Sequence, residues 1–360
     1  MMRTNMQSAS TSKSTRGPGK LAGLLISIGV SGLIIGYLIV KLDWAQVGGH
    51  LQKVHLGYMP VIVVLLFAMI GVRWLRWKYL HPKGKPLSFL RLFEATAIGY
   101  FASFVLPLRA GEIIRPWALS RLQPVPFPSA LASIFTERVA DALCLLSLFL
   151  LCLLQIDSMP PVIITGARIL ALLTLLLAGF IALSYMYPGK FEGMLHLMIN
   201  AATSSRRPAL AKRLNLVVTE YFMGLRSIRS VGDLFFVILW SYGLWCIVAF
   251  LYYIILLAFG EKPDLWAGMI LNVFIALAVA APSAPGFIGT FQAGCIIALS
   301  TIYDYSTEFA MAYSVVAHTI QFVFIIALGL TILHVRGLKL SNLKRASLPD
   351  TADTSRDTPH

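Results

Sequence analysis

LPLRAGEIIRPWALSR, residues 106–121, decides how the rest of the chain is read. Apolar sequence runs into it from Ile98 to Leu106. Pro107 and Gly111 then interrupt the run, and Arg109, Glu112 and Arg115 crowd together just beyond. Proline removes a backbone donor and clashes with the preceding helical turn. Within a bilayer, broken backbone and clustered charge are tolerated only where protein buries them or they line a wet cavity. The stretch reads as a broken re-entrant hairpin that handles a lipid headgroup. A half-helix starting after Gly111 would aim N–H groups at an anion, and Arg109 and Arg115 would fork onto phosphate. Arg109, Glu112 and Arg115 are spaced i, i+3, i+6 and share a face if helical. Snorkelling of these arginines to cytoplasmic headgroups accounts for the same pattern.

Composition agrees with this setting. The chain has 360 residues, 58% hydrophobic and 13% charged, against about 25% charged in soluble domains. Mean hydropathy is +0.77. These values predict an all-α polytopic membrane protein, one helical bundle rather than separate domains. Apolar runs at 21–40, 56–72, 87–108, 127–154, 162–187, 233–259, 265–281 with 287–302, and 309–334 supply the helices. Lys41 and Asp43 follow the first run directly, which favours a retained helix over a cleaved signal. Residues 1–20 read as a disordered basic tail, 21–335 as the transmembrane domain and 336–360 as a second tail. The insert 188–232 is basic, and apolar residues recur at helical spacing over 210–228, the pattern of a helix lying on the membrane surface.

The formal net charge of +14 fits cytoplasmic loops and anionic headgroups better than nucleic acid. With the N-terminus inside and residues 87–121 entering and leaving on one side, 25 of the 30 Lys and Arg fall on the cytoplasmic side and 3 outside. A full crossing at 87–107 would turn the basic insert outward, so the positive-inside rule favours the hairpin. Both termini are then cytoplasmic.

The break has a counterpart. Pro282 and Gly286 repeat the spacing of Pro107 and Gly111, 175 residues on, each at the end of an apolar run. The same offset relates units of about 57–154 and 232–335. Their opposite starting sides make an inverted repeat, as in many transporters with sites on broken helices between repeats. Coincidence of common membrane-helix residues is the competing account.

Glu137, Arg138 and Asp141 sit deep in the 127–154 run. Glu137 and Asp141 share a face at i, i+4, and Arg138 reaches Asp141 at i, i+3. At about 2.5–3.5 kcal/mol per charge on insertion scales, they must face the interior and pair. They are either a structural ion-pair network or a phosphate or proton site. Arg73 and Arg76, also i, i+3, read as positive-inside anchors. Ser283, Thr290 and Gln292 around the second break suit a headgroup or freed backbone groups. His318 reads as a satisfied core histidine. Cys144, Cys152, Cys246 and Cys295 read as core filler, without metal spacing. No metal cluster, nucleotide loop or catalytic constellation is present in the sequence, so neither an enzyme nor a cofactor is expected.

RWLRW at 73–77, PLRAGEIIRPW at 107–117, TERVADALCLL at 136–146 and PSAPGFIGTFQAG at 282–294 together resemble the flippase-like membrane domain of lysylphosphatidylglycerol synthases, over roughly 20–335. The resemblance implies translocation of a lipid in the bacterial inner membrane, without ATP. It also implies no aminoacyltransferase activity, since only a short tail follows Arg336. By motif it assigns Arg109, Gly111, Glu112 and Arg115 to the first break, and Glu137, Arg138 and Asp141 to the E-R-x-x-D element. Pro285, Gly286 and Gly289 fall to the second break. Gln292 stands where a carboxylate is usual, which puts an acid-base role there in doubt. The expected partner is an anionic or polyprenyl-linked lipid, held by Arg109 and Arg115 and gated by a Glu112–Arg138 pair. Self-association or a lipid-biosynthesis enzyme would be the protein partner. A non-transporting scaffold that recruits such an enzyme through the insert is the alternative.

Overall fold

The computed structural model describes residues 18–80, 87–106, 110–154, 161–203, 208–227, 231–281, 283–338 and 343. Among them all regular structure is helical. The helices are α1 (Pro18–Lys41), α2 (Trp44–Leu51), α3 (Met59–Tyr79), α4 (Phe89–Val105), α5 (Gly111–Leu122), α6 (Phe127–Leu153), α7 (Pro161–Met186), α8 (Pro188–Thr203), α9 (Pro208–Ser227), α10 (Val231–Ala258), α11 (Trp266–Ala280), α12 (Thr290–Ile296) and α13 (Thr307–Val335). α12 runs on into a π turn, Ile297–Ile302.

Four stretches are long and apolar enough to cross a bilayer: Leu56–Tyr79, Gly232–Ala258, Pro285–Ile302 and Thr307–Val335. Two bent pairs raise the number to six. α1 and α2 meet at 94°, and α7 and α8 at 119°. Each bend has a local cause. Asp43 caps α2, accepting from the Ala45 and Gln46 amides at 2.9 and 3.3 Å. Pro188 disfavours the helical conformation at Tyr187. The protein is therefore an all-helical, multi-span membrane protein. α6 is long enough to span but carries Glu137, Arg138 and Asp141.

α3 and α10 pack antiparallel along the middle of the bundle. Tyr79 stacks on Phe236 at one end, and the His55 amide donates to the Ala258 carbonyl at the other. Around this pair lie two antiparallel helix pairs. In the first, α5 returns along α4. Gly111 sits against Gly99 and Ser103, Arg115 against Gly99, and at the base the Gln123 side chain bonds both backbone groups of Ser88. In the second, α12 returns along α11. Gly294 packs on Ile275, and the Tyr303 hydroxyl donates to Asp264 Oδ1 at 2.9 Å. The base of the first pair lies beside the end of α3, with Phe89 against Trp74. The base of the second follows directly on the far end of α10. Their tips meet: the Phe104 and Phe287 rings are edge to face, 5.4 Å apart. α13 runs beside α4, where Gly329 leaves room for the Phe101 ring.

The insert folds into two helices, α8 and α9. α8 and α9 pack as a pair, joined by His196–Asn215 and Asn215–Asn200 hydrogen bonds of 2.6 and 2.7 Å. α9 also packs on α6, burying Tyr221 and Phe222. Of the apolar positions at helical spacing, Tyr221 and Phe222 are covered by protein, while Leu210, Leu214 and Val217 remain exposed. Of the four cysteines, Cys144, Cys152 and Cys295 are buried as expected, whereas Cys246 is exposed.

Candidate functional site

The site begins with two residues of α3. Arg73 and Arg76 stand one turn apart, and neither is the headgroup anchor their position near the helix end predicts. Arg76 is fully buried. Its Nη2 lies 2.7 Å from Glu137 Oε1 and 3.3 Å from Asp141 Oδ2, while Nη1 donates to Ser241 Oγ at 2.9 Å and pairs with Asp141 Oδ1. Interface anchoring fails here because α6 presents two carboxylates on the face packed inward, and an unneutralised pair would cost more than burying the guanidinium. Arg73 lies 4.4 Å over the Tyr100 ring and donates to its hydroxyl.

α5 brings the next arginine. Arg115 Nη1 donates to both Glu137 oxygens, at 2.8 and 3.0 Å, and the guanidinium sits 4.0 Å over the Trp77 ring. Arg115 is 4% exposed, so it does not snorkel. Its placement depends on glycine. A Cβ on Gly111 would fall 2.0 Å from Gly99 O and Ser103 Oγ, and one on Gly99 would fall 2.5 Å from Arg115 Cβ. Only a bare backbone lets α5 approach α4 this closely.

Arg138 completes the group. Its Nη2 reaches Glu137 Oε1 at 3.0 Å and Asp141 Oδ2 at 3.2 Å. The expected i, i+3 pair is therefore formed, but the expected Glu112–Arg138 pair is not among the ion pairs of the described residues. Arg138 is taken up within its own helix, by the adjacent Glu137 and by Asp141 one turn on. Arg76, Arg115 and Arg138 thus meet Glu137 and Asp141, leaving a formal excess of one positive charge.

Beside this cluster lies a cavity of about 420 Å³. Arg73, Glu112, Arg115, Arg138 and Asp141 line it, with Gly111 at the start of α5. Arg115 Nε and Nη2 are buried without a hydrogen-bond partner, as are the Nε atoms of Arg73 and Arg138. Unpaired buried donors are uncommon and cost about 1–3 kcal/mol each. Donors of this kind around a cavity match an anionic oxygen acceptor.

The second break is held by a closed relay. Gly286 and Gly289 have φ of +72° and +90°, values that glycine adopts without a Cβ clash. The Gly289 amide donates to Gln292 Oε1 at 2.7 Å, and Gln292 Nε2 lies 3.2 Å from His318 Nδ1. His318 Nε2 lies 2.7 Å from the Gly286 carbonyl, which can only accept. The imidazole therefore carries its proton on Nε2 and accepts from the amide at Nδ1. Both ring nitrogens are satisfied, as a core histidine requires, and Gln292 serves this backbone brace. Pro285 opens the short turn over Gly286, and the Ala284 amide donates to Ser31 Oγ on α1 at 2.8 Å. Phe287, Phe291 and His318 face the same cavity.

Arg73, Gly111, Glu112, Arg115, Arg138 and Asp141 are thus brought together at the cavity. Arg76 and Glu137 lie behind it. Pro285, Gly286, Gly289 and Gln292 build the second tip beside it. Arg109 and Pro282, together with Pro107, lie outside the described residues. Sequence reading missed Tyr100, Trp77 and Ser241 as arginine partners, since nothing marks an ordinary residue of another helix as a neighbour. It also missed Asn272, which lines the cavity. A lone amide in the apolar run of α11 was a usable signal.

Residues 21–329 match the lysylphosphatidylglycerol synthase TM region. A UPF0104 membrane protein of the archaeon Methanothermobacter thermautotrophicus is 23% identical over 312 residues, which is 82% of this chain and 90% of that protein. A glycosyltransferase, AglD, of the archaeon Haloferax volcanii is 27% identical over 148 residues, 41% of this chain but 23% of that protein. No solved structure matches. The match over 21–329 covers the helices that build both tips and the arginine cluster, and the chain belongs to the family of the lysylphosphatidylglycerol synthase transmembrane region.

Proposed function

We propose that the protein is a lipid translocase, a transporter rather than an enzyme, that passes an anionic or polyprenyl-linked headgroup between leaflets without ATP. The observation that carries this reading is Arg115, which lines the cavity and whose Nε and Nη2 nitrogens are buried without a hydrogen-bond partner. A headgroup phosphate would accept from them while the acyl or prenyl chains stay in lipid. Its charge would meet the positive excess of the cluster.

The packing supports an inverted repeat. Exchanging α3–α6 with α10–α13 maps the α4–α13 contact onto α6–α11 and α3–α10 onto itself. The bases of the two antiparallel pairs lie at opposite ends of α3–α10, and their tips touch. In the proposed topology both pairs are re-entrant, the first from the cytosol, and both chain termini are cytoplasmic. Alternating access would then rock one unit against the other about the shared cavity.

The test is translocation of fluorescent phospholipid in proteoliposomes containing the purified protein. Arg115→Gln is expected to slow it by about 10–100-fold, the loss of hydrogen bonds to a charged group. Wild-type rates in the folded variant would remove the arginine from the mechanism. Absence of translocation by wild-type protein, for every lipid tried, would favour the scaffold reading.

A further inference from the structure

The cavity has a second polar lining that the arginines do not use. Charged groups come from α3, α5 and α6. α10, α11 and α13 contribute neutral ones instead: Trp245, Tyr252, Asn272 and Gln321. Asn272 is 1% exposed, and its Nδ2 donates to the Trp245 carbonyl at 3.1 Å. That bond uses only part of the capacity of the amide, which has a second N–H and a carbonyl oxygen. The Trp245 indole N–H is buried with no partner. Phe291 offers a ring to the same space, stacked on His318 at 4.6 Å and 13°.

Amide, phenol and indole groups beside aromatic rings suit hydroxyls. Each hydroxyl both donates and accepts, so Asn and Gln side chains satisfy it in pairs. Aromatic rings offer apolar faces to the C–H surfaces between hydroxyls. An ammonium headgroup would find no carboxylate on α10, α11 or α13 among the residues that line the cavity. The carboxylates of the lining, Glu112 and Asp141, lie on α5 and α6 among the arginines, on the phosphate side of the cavity, and Asp141 is engaged by Arg76 and Arg138.

From this we infer that the cargo is a lipid phosphate ester whose headgroup is a neutral polyhydroxylated group, a sugar or a polyol. Its phosphate lies at Arg115, and its hydroxyls lie against Asn272, Gln321 and Trp245. This rests on the translocase reading for the phosphate and adds to it the chemistry of the remainder of the headgroup. The cavity, at about 420 Å³, lies within the usual range for small-molecule sites, about 300–1,000 Å³.

Binding of soluble short-chain probes to the purified full chain in detergent tests it. The probes are dioctanoyl phosphatidylinositol, phosphatidylglycerol, phosphatidic acid and phosphatidylethanolamine. Phosphatidylinositol and phosphatidylglycerol are expected to bind about tenfold tighter than the other two, the effect of one or two added hydrogen bonds. Gln321→Leu and, separately, Asn272→Leu should abolish that preference while leaving phosphatidic acid affinity within about twofold, since neither touches the arginines. Trp245→Phe, which removes only the N–H, covers the case in which either variant misfolds. Equal binding of all four lipids, or strongest binding of phosphatidylethanolamine, overturns the inference but leaves the phosphate site standing. So does a preference that survives all three substitutions. Failure of every anionic probe to bind wild-type protein, with Arg115→Gln making no difference, overturns both.

Discussion

Removing Arg76 is expected to destabilise the fold more than removing any other single basic residue near the cavity. Its guanidinium, fully buried, bridges Glu137, Asp141 and Ser241. Arg76→Leu leaves Asp141 with Arg138, and leaves Glu137 with Arg115 and Arg138. Breaking a buried ion pair by deleting one partner costs about 3–5 kcal/mol. Asp141→Leu frees Arg76 on one side but not on the other, since Glu137 remains at 2.7 Å; it should fall at the lower end of the same range, about 3 kcal/mol. The double variant removes the Arg76–Asp141 pair whole, which lowers its cost below the sum of the singles, but Glu137 still loses Arg76, so the double variant is not neutral. The two costs should therefore fall short of adding, with a coupling of about 2 kcal/mol, inside the usual range for contacting residues. The assay is reversible unfolding in mixed micelles, titrated with denaturing detergent and followed by tryptophan fluorescence, for the four members of the cycle. Additivity within about 0.5 kcal/mol would refute the reasoning, because residues that do not interact behave so. Arg76→Lys should recover little, since one ammonium cannot span a two-carboxylate fork.

The remaining predictions use the same unfolding assay or folded yield. Gly111→Ala should abolish monodisperse protein, because its Cβ would collide with Gly99 O and Ser103 Oγ; Gly243→Ala, which meets nothing nearer than 3.9 Å, should stabilise by about 0.5–1 kcal/mol. His318→Leu leaves the Gly286 carbonyl and the Gln292 amide without their partner, at about 1–3 kcal/mol each; His318→Phe should do no better, which separates hydrogen bonding from ring packing. Glu94→Gln weakens the tie between α4 and Arg336 beyond α13 and should lower the unfolding midpoint slightly, with a smaller loss at high salt. Cysteines placed at Arg121 and Lys190 should both be labelled from the cytosolic side; labelling of either from outside would remove the proposed topology.

Sequence alone determined that this chain lives in a membrane, because the apolar runs are the length of a bilayer and water would not tolerate them. It determined where the helices break, since Pro107 with Gly111 and the glycines at 286 and 289 act through local backbone chemistry. It determined that Glu137, Arg138 and Asp141 must find partners, because the cost of isolated charge in lipid follows from residue type and depth. Tertiary structure decided who those partners are. Arg76 lies 65 residues from Asp141 and Arg115 lies 22 from Glu137, and nothing local marks one arginine for burial and another for the interface. It also decided that Arg138 pairs within α6 and that α9 packs on α6. A sequence states what each charge costs. Only packing brings helices distant in the chain close enough to offset it.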